Sequence, residues 1–376
     1  MAAFRLRFFL LLTVLLAAAF VSINLVSARP AAQVGNLPEP FNLSDNEGNS
    51  EGAKLALDGD GGLHAIWWDN SSTGRFELMH RQLDADGKWA EAEILTESIE
   101  ILMMDTQKML IQPDGQFCVL WEGASDTGDP ETLGVYRRCQ EDGAWTDIEF
   151  IQPSLGGGRD YMPALDPDGK LQFINIVSAG DVMFGDTKLS DDLMTAMSPQ
   201  FVIDSSGVYH VIFTRQGRPY SVEYRFSSDE GAQWKDPERL TDDNEDPGIA
   251  WPTRLVADSV GGLHMVMNLG TGLYYRHWTE KDGWQPAVEL TQGGNGSATT
   301  SIGLATDADG LAHVVWQGNG LYYTQQEEDG TWTSPEALNE DIGVGPGPEI
   351  IVDSEGTRHV VWQSSLDLLD VFYLSF

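Results

Sequence analysis

Seven times along this chain an apolar run ends at a polar residue, turns through a glycine and resumes as an alternating strand. That recurrence restricts the fold more than any other feature. "LALDGDGGLHAIW" (55–67), "FVIDSSGVYHVIF" (201–213), "LVADSVGGLHMVM" (255–267), "LATDADGLAHVVW" (304–316) and "IIVDSEGTRHVVW" (350–362) are copies of one unit. "MLIQPDGQFCVLW" (109–121) and "PALDPDGKLQFIN" (163–175) are worn copies. From His64 to His359 there are six intervals over 295 residues, a mean period of about 49. Such a period suits propeller blades and several other repeat arrays.

Each unit divides into short strands. The tight Asp-x-x-Gly turn joins the first two, and an aromatic third strand follows, as in "GLYYRHW" (272–278) and "SVEYRFS" (221–227). A second turn then leads to an outer strand, as in "EEDGTWTSPEALNED". Four antiparallel strands per unit, with no helical period, predict an all-β, seven-bladed β-propeller over residues 37–376. A solenoid is the alternative architecture. Six blades plus an irregular insert is the alternative count, because the third unit (about 160–195) is short and lacks the Gly-x-Trp turn. The last unit stops at "DVFYLSF", without an outer strand, whereas "LPEPFNLSDN" (37–46) resembles the outer strands "PERLTDDN" and "PEALNED". The N-terminal segment is therefore expected to complete the last blade and leave no open sheet edge.

Ahead of the repeats, Arg5 and Arg7 precede an apolar run from Phe8 to Val26, and small residues end at Ala28. Residues 1–28 read as a signal peptide, or as a membrane anchor if uncleaved, and 29–36 as a linker. The expected location is secreted or extracytoplasmic, with a membrane as partner only through that segment. The whole chain has a formal net charge of −36, and without the leader it falls to −38. Such a surface repels nucleic acid and anionic lipid. In an oxidising compartment the two cysteines, Cys118 and Cys139, are expected to pair; Cys118 stands in the histidine column and Cys139 on the next strand. Sequons at Asn42, Asn70 and Asn295 matter only in a glycosylating host.

"SSDEGAQW" (227–234) recurs between the third and fourth strands as "DADGKW", "EDGAW", "KDGW" and "EDGTW". An element repeated around a ring is a folding device, since a ring has one centre. Ser227 and Asp229 suit turn hydrogen bonds, Gly231 a positive φ, and Trp234 burial between sheets. This stretch resembles the Asp box of BNR-repeat propellers, the repeat of sialidases and many non-enzymatic relatives. The resemblance implies a structural Asp box away from the centre, and a glycan as the expected ligand. Exo-sialidase activity is the catalytic alternative it implies. That family uses three arginines on the substrate carboxylate, a Tyr nucleophile assisted by Glu, and an Asp acid–base. Arg254 and Arg159 match two of those arginines by position or type, and no Arg-Ile-Pro tripeptide occurs.

Five histidines, His64, His210, His264, His313 and His359, fall three residues after the turn glycine. Spread around a ring they cannot share one ion, so they are expected to be satisfied core residues. Asp58, Asp60, Asp166 and Asp168 resemble calcium loops without the full ligand series and read as turn residues. No cofactor is expected; "TDDNEDPG" (241–248) is the one cluster dense enough to suggest Ca²⁺. The column four residues before the turn Asp holds Lys54, Lys108, Met162, Gln200, Arg254, Gly303 and Glu349. It should rim the channel, above an apolar throat two residues further on. Lys54, Lys108, Arg254 and Glu349, with Arg159, Asp160, Tyr161 and Trp251 nearby, form the candidate site for an anionic ligand such as a sugar acid. A non-catalytic module for a glycan or other anion is the leading expectation. The exo-sialidase and a scaffold for an extracellular protein are the alternatives.

Overall fold

The computed structural model describes residues 37–376 apart from 73, 85, 98, 102–105, 126–128, 155–160, 178–179, 192–194, 217–219, 242–252, 270–271, 292–300, 319, 340–346 and 365–368. The expected leader and linker lie outside the described residues. Among those residues helix is limited to one 3-10 turn, Pro130–Thr132, and no helix is long and apolar enough to cross a membrane.

Seven antiparallel sheets form seven blades. The innermost strands are Ser50–Leu57, Lys108–Ile111, Tyr161–Leu165, Ala196–Ile203, Thr253–Ala257, Ile302–Thr306 and Glu349–Val352. Each lies against the innermost strand of the next blade, and the seventh lies against the first, so the array is a ring and not a line. The third blade is a genuine four-stranded sheet, built on Tyr161–Leu165, Leu171–Ile176, Val182–Phe184 and Thr187–Lys188. It therefore counts as the seventh blade, not as an insert in a ring of six. Its outer hairpin turns directly from Phe184 to Thr187, which is why the longer Gly-x-Trp turn is absent from its sequence.

The clasp is also present. Phe41 and Asn42 pair antiparallel with Tyr373 and Phe372, as the outer strand of the last blade. The Leu43 amide donates to the Val371 carbonyl at 2.7 Å, and Asn42 and Ser44 side chains bond to the Asp370 carboxylate. Leu43 is fully buried beside Trp67 and Trp89 of the first blade and Val371 and Tyr373 of the seventh. The clasp thus serves both a sheet and an inter-blade interface.

The core is seven clusters, each shared by two adjacent blades. Second strands such as Leu63–Asp69 are buried on both faces. Alternation then sends Ala65 and Trp67 to the seventh blade, and Ile66 and Trp68 to the second. The turn tryptophans key these interfaces. Trp89 meets Tyr373 at 5.0 Å, Trp284 meets Tyr224 at 5.3 Å, and Trp332 meets Tyr275 at 4.7 Å, each on the preceding blade. Trp234 meets Phe184 at 5.6 Å, and Phe376 takes the same part against Tyr323 at 5.1 Å. In the turn at 227–234, Ser227 donates to Asp229 at 2.7 Å. The Gly231 and Gln233 amides donate to Ser227 and Asp229 at 2.9 and 2.8 Å. Gly231 has φ +83°, a conformation that L side chains avoid.

The histidine column staples the other turn. In the first, fourth, fifth, sixth and seventh blades the turn aspartate uses both oxygens. In Asp204, for example, Oδ1 accepts the amides of Ser206 and Val208, each at 2.9 Å, and Oδ2 meets His210 Nε2 at 3.2 Å. The other ring nitrogen meets a tyrosine hydroxyl on the third strand, Tyr224, Tyr275, Tyr323 or Tyr373, at 2.7–2.9 Å. In the first blade that nitrogen meets His80 at 2.9 Å instead. The worn copies substitute within the same geometry. Gln172 reaches Asp166 at 3.3 Å in the third blade. In the second, Cys118 and Cys139 are cross-strand partners joined by the expected disulfide. Burial depresses His64 to about 4 and pushes His210, His264 and His313 down as well, against the opposing pull of their aspartates. His64, His210, His264 and His313 are therefore neutral at pH 7, each bonded through both ring nitrogens.

Two outcomes are expected. Leu43→Ala lowers the unfolding free energy by about 2–5 kcal/mol, the range for an emptied core site. Phe41→Ala, at a side chain 44% exposed, costs less than about 1 kcal/mol. Equal losses in denaturant titrations would contradict the clasp's role. The second concerns pH. A histidine held near 4 when folded and near 6.5 when unfolded takes up protons only in the unfolded chain between those values. His64 therefore contributes full stability above pH 6.5 and loses about 3 kcal/mol of it as pH falls toward 4. His64→Gln, imitating Gln172, should flatten the pH dependence of urea unfolding over that window; parallel curves would refute it.

Candidate functional site

Inner strands converge on the axis, so a residue at one register position is repeated seven times around the channel. That position is the first or second residue of the inner strand at Lys108, Met162, Arg254, Gly303 and Glu349 and lies further in at Lys54 and Gln200. Lys54 pairs across with Ile66, Arg254 with Val266 and Glu349 with Val361. On either side of Lys54, Ala53 and Leu55 are buried in the interface with the seventh blade. The opposite face of the strand carries Lys54 and Ala56, and Ala56 packs toward the second blade.

Four members of this column come together. Lys54 Nζ forms an ion pair and hydrogen bond with Glu349 Oε1, across the junction of the first and seventh blades. Arg254 Nη2 stands 4.0 Å from the same oxygen, reaching from the fifth blade. Lys108, on the second blade, adds its charge to the field at that carboxylate. Burial alone would raise the Glu349 carboxyl. The charges of Lys54, Arg254 and Lys108, with the Lys54 hydrogen bond, outweigh it and hold the group below its ordinary value. Glu349 is therefore ionised, with its side chain 22% exposed. Three cations thus gather around one carboxylate in a chain whose net charge is −36.

Gly303 holds the same register on the sixth blade. A Cβ there would stand 2.7 Å from Val315 Cγ1, 2.8 Å from the Pro348 carbonyl and 3.2 Å from Glu349 Cα. Only glycine lets the strand that carries Glu349 close against the sixth blade. Gln200 turns its amide back to the Pro199 carbonyl at 2.8 Å. Met162 packs against the cluster between the third and fourth blades. Two residues along, Ala56, Val202, Val256 and Ala305 are half-buried against the inter-blade clusters, consistent with an apolar throat.

The remaining sequence candidates are placed differently. Tyr161 is buried between the second and third blades beside Leu120 and Val135, and its hydroxyl donates to the Thr106 carbonyl at 2.7 Å. Burial, reinforced by the Glu122 charge, pushes its phenol well up. It is a core residue of that interface and not a side chain of the channel. Arg159, Asp160, Trp251, Asp105 and residues 242–248 of the carboxylate-rich stretch lie outside the described residues. Several other arginines are engaged in the frame: Arg138, Arg225 and Arg276 each donate to a carbonyl of a neighbouring blade, those of Leu95, Leu189 and Leu240.

The calcium-like turns are likewise committed. Asp58 Oδ1 accepts the amides of Asp60 and Gly62 while Oδ2 meets His64, and Asp166 is engaged in the same way. One grouping was not visible by column alone. His277 is the direct cross-strand partner of His264, and with Asp258 the two offer ligand atoms all within 4.8 Å of one another. The hairpin register of "LHMVMNL" against "GLYYRHW" carries that signal.

No protein-family model matches the chain, and no curated protein matches it. Solved structures do resemble it. A protein of unknown function from Dyadobacter fermentans is 11% identical, with a TM-score of 0.54 over 90% of this chain and 98% of that one. An alpha-L-arabinanase from Penicillium chrysogenum, solved with arabinobiose, is 12% identical, with a TM-score of 0.51 over 92% and 98%. A Trypanosoma rangeli sialidase, of whose chain 60% is covered, is 12% identical with a TM-score of 0.43. At these identities the shared property is the fold: this chain is similar to β-propellers that include glycoside hydrolases.

Proposed function

We propose that this is a secreted, non-catalytic propeller that binds an acidic glycan, or another small carboxylate-bearing ligand, at the channel mouth. The observation that carries the reading is the gathering of Lys54, Lys108 and Arg254 around Glu349 on the axis. These cations come from three different blades and share one partly exposed carboxylate, so an anion approaching along the axis meets several of them at once. Arg254 supplies a planar fork for a carboxylate, and the lysines supply point charges. Resemblance of the turn at 227–234 to an Asp box, and of the fold to sugar-processing propellers, favours a sugar acid over other anions. The apolar leader and the disulfide favour an extracytoplasmic location.

Catalysis is the second reading, and the residues in hand favour it less. A sialidase-type site needs an arginine cluster and an accessible tyrosine. Arg254 is the arginine of this column among the described residues, while Tyr161 is buried with its hydroxyl committed. A scaffold would present a contiguous apolar face. The exposed large apolar side chains Phe41, Leu133, Phe150, Val260 and Val288 are instead distributed over the seventh, second and fifth blades.

The two signs of charge at the site give opposite expectations. Arg254→Ala should weaken binding of sialylated or uronic-acid glycans about tenfold or more, a loss of about 1.4 kcal/mol. Glu349→Gln removes the competing carboxylate and should strengthen it. A glycan array and calorimetry on folded variants read both. Unchanged binding in both variants would remove the site. Turnover of a fluorogenic sialoside, abolished by Arg254→Ala, would replace the binding reading with the hydrolase.

A further inference from the structure

The fifth blade departs from the other histidine-bearing blades at the residue that faces its column histidine. The third-strand residue opposite the column histidine is Gln82, Phe226, Gln325 or Ser375 in blades one, four, six and seven. In the fifth it is His277. The residue after the turn glycine is Val208, Leu311 or Thr357 in blades four, six and seven, but Gly262 in the fifth and Gly62 in the first. A Cβ at 262 would stand 2.4 Å from Asp258 Oδ2 and 2.8 Å from His277 Nε2. Any side chain there would be driven between the two donors, and glycine leaves their approach open. The adjoining blade also spares this place. A Cβ at Gly310 would come within 3.3 Å of the same carboxylate oxygen. In the first blade the second imidazole, His80, meets the ring nitrogen turned away from the aspartate, whereas in the fifth His277 stands on the aspartate side, beside a cleared approach.

From this geometry we propose that Asp258, His264 and His277 form a binding site for a divalent transition-metal ion of the Zn²⁺ class. The three ligand atoms lie within 4.8 Å of one another, and Asp258 Oδ2 and His264 Nε2 are already 3.0 Å apart. Donors about a tetrahedral zinc at roughly 2.0–2.1 Å are separated by roughly 3.3–3.5 Å, so a small rotation of His277 closes the set. Two imidazoles and one carboxylate select Zn²⁺, Co²⁺ or Ni²⁺ over Ca²⁺, which requires oxygen ligands.

The outer shell is in place. Asp258 Oδ1 is held by the amides of Val260 and Gly262 at 2.9 and 2.7 Å, leaving Oδ2 to the metal. His264 Nδ1 meets the Tyr275 hydroxyl at 2.7 Å. With Nε2 on a metal, Nδ1 carries the proton and donates it to that oxygen, the orienting contact usual for a ligating histidine. Binding exchanges the Asp258–His264 hydrogen bond for two metal bonds, and it ties the turn at 258–262 to the strand Gly272–Thr279. Three protein ligands leave a fourth position for water or a small anion.

Metal titration of the chelator-stripped protein tests this. Calorimetry with Zn²⁺ should find one tight equivalent per chain, well separated from weak binding by surface carboxylates. Co²⁺ should give the visible absorption of a four-coordinate site with nitrogen ligands. His277→Gln keeps the residue used in blades one and six, so the fold should survive. It should weaken the tight equivalent by more than about 100-fold, beyond the loss expected from an outer-shell change, and abolish the cobalt band. A tight equivalent that persists unchanged in His277→Gln, or its absence from the wild-type protein, would overturn the assignment and leave Asp258–His264 a structural pair as in the other blades.

Discussion

A ring of sheets has no end interface to leave bare, and this molecule depends on closing the seventh. Each blade is too thin to bury its own faces, so every core cluster is shared between two blades. If the ring opened, the side chains of one shared cluster would be exposed on two blades at once. The clasp prevents that by pairing residues that are about 330 positions apart in the chain, Asn42 with Asp370 and Phe41 with Tyr373. The entropic cost of closing so long a loop grows only logarithmically with length. Burial of Leu43, Trp67, Trp89 and Tyr373 in the junction offsets it through apolar area removed from water.

With closure secured, the polar network of each blade addresses a local problem. A tight turn leaves amides without a partner in the strand ladder, which must be met by side chains or water. The aspartate answers with one oxygen for the turn and the other for the histidine on the following strand. The tyrosine that receives the histidine's second nitrogen is also the surface on which the next blade's tryptophan rests, as Tyr275 is for Trp332. Turn, strand and interface are thus one connected unit. This explains why the worn blades keep its geometry with other chemistry, a glutamine in the third and a disulfide in the second. It also explains why most histidines and several arginines are unavailable for ligands.

At the axis the same repetition serves a different end. Neighbouring positions are structural because they face neighbouring blades, whereas the column through Lys54, Arg254 and Glu349 faces the channel. Unit charges 4 Å apart near a protein surface interact by about 4 kcal/mol before screening. Partial exposure reduces the net worth of any one pair to about 1 kcal/mol or less. An ion pair alone is therefore a weak stabiliser of the ring. In the fifth blade the pattern changes at His277, which stands beside Asp258 and His264.

Much of this was legible in the chain itself. A period near 49, an alternating strand after every Asp-x-x-Gly turn, and a tail lacking its outer strand specify a closed seven-bladed ring, because short-range turn chemistry and alternation act locally. The disulfide was legible through hairpin register, and the meeting of Lys54, Lys108, Arg254 and Glu349 through their common place in the repeat. What the linear order withheld depends on which blade face a residue meets. Tyr161 stands beside the channel column in sequence, yet its ring turns into the interface between the second and third blades. His277 gains meaning only from the partner strand that sets it beside His264 and Asp258. Repetition along the chain determined the ring and its axis. Packing between adjacent blades decided which polar side chains are consumed in holding the ring and which gather on its axis, because alternation assigns a residue to a face and only the neighbouring blade determines whether that face is dry.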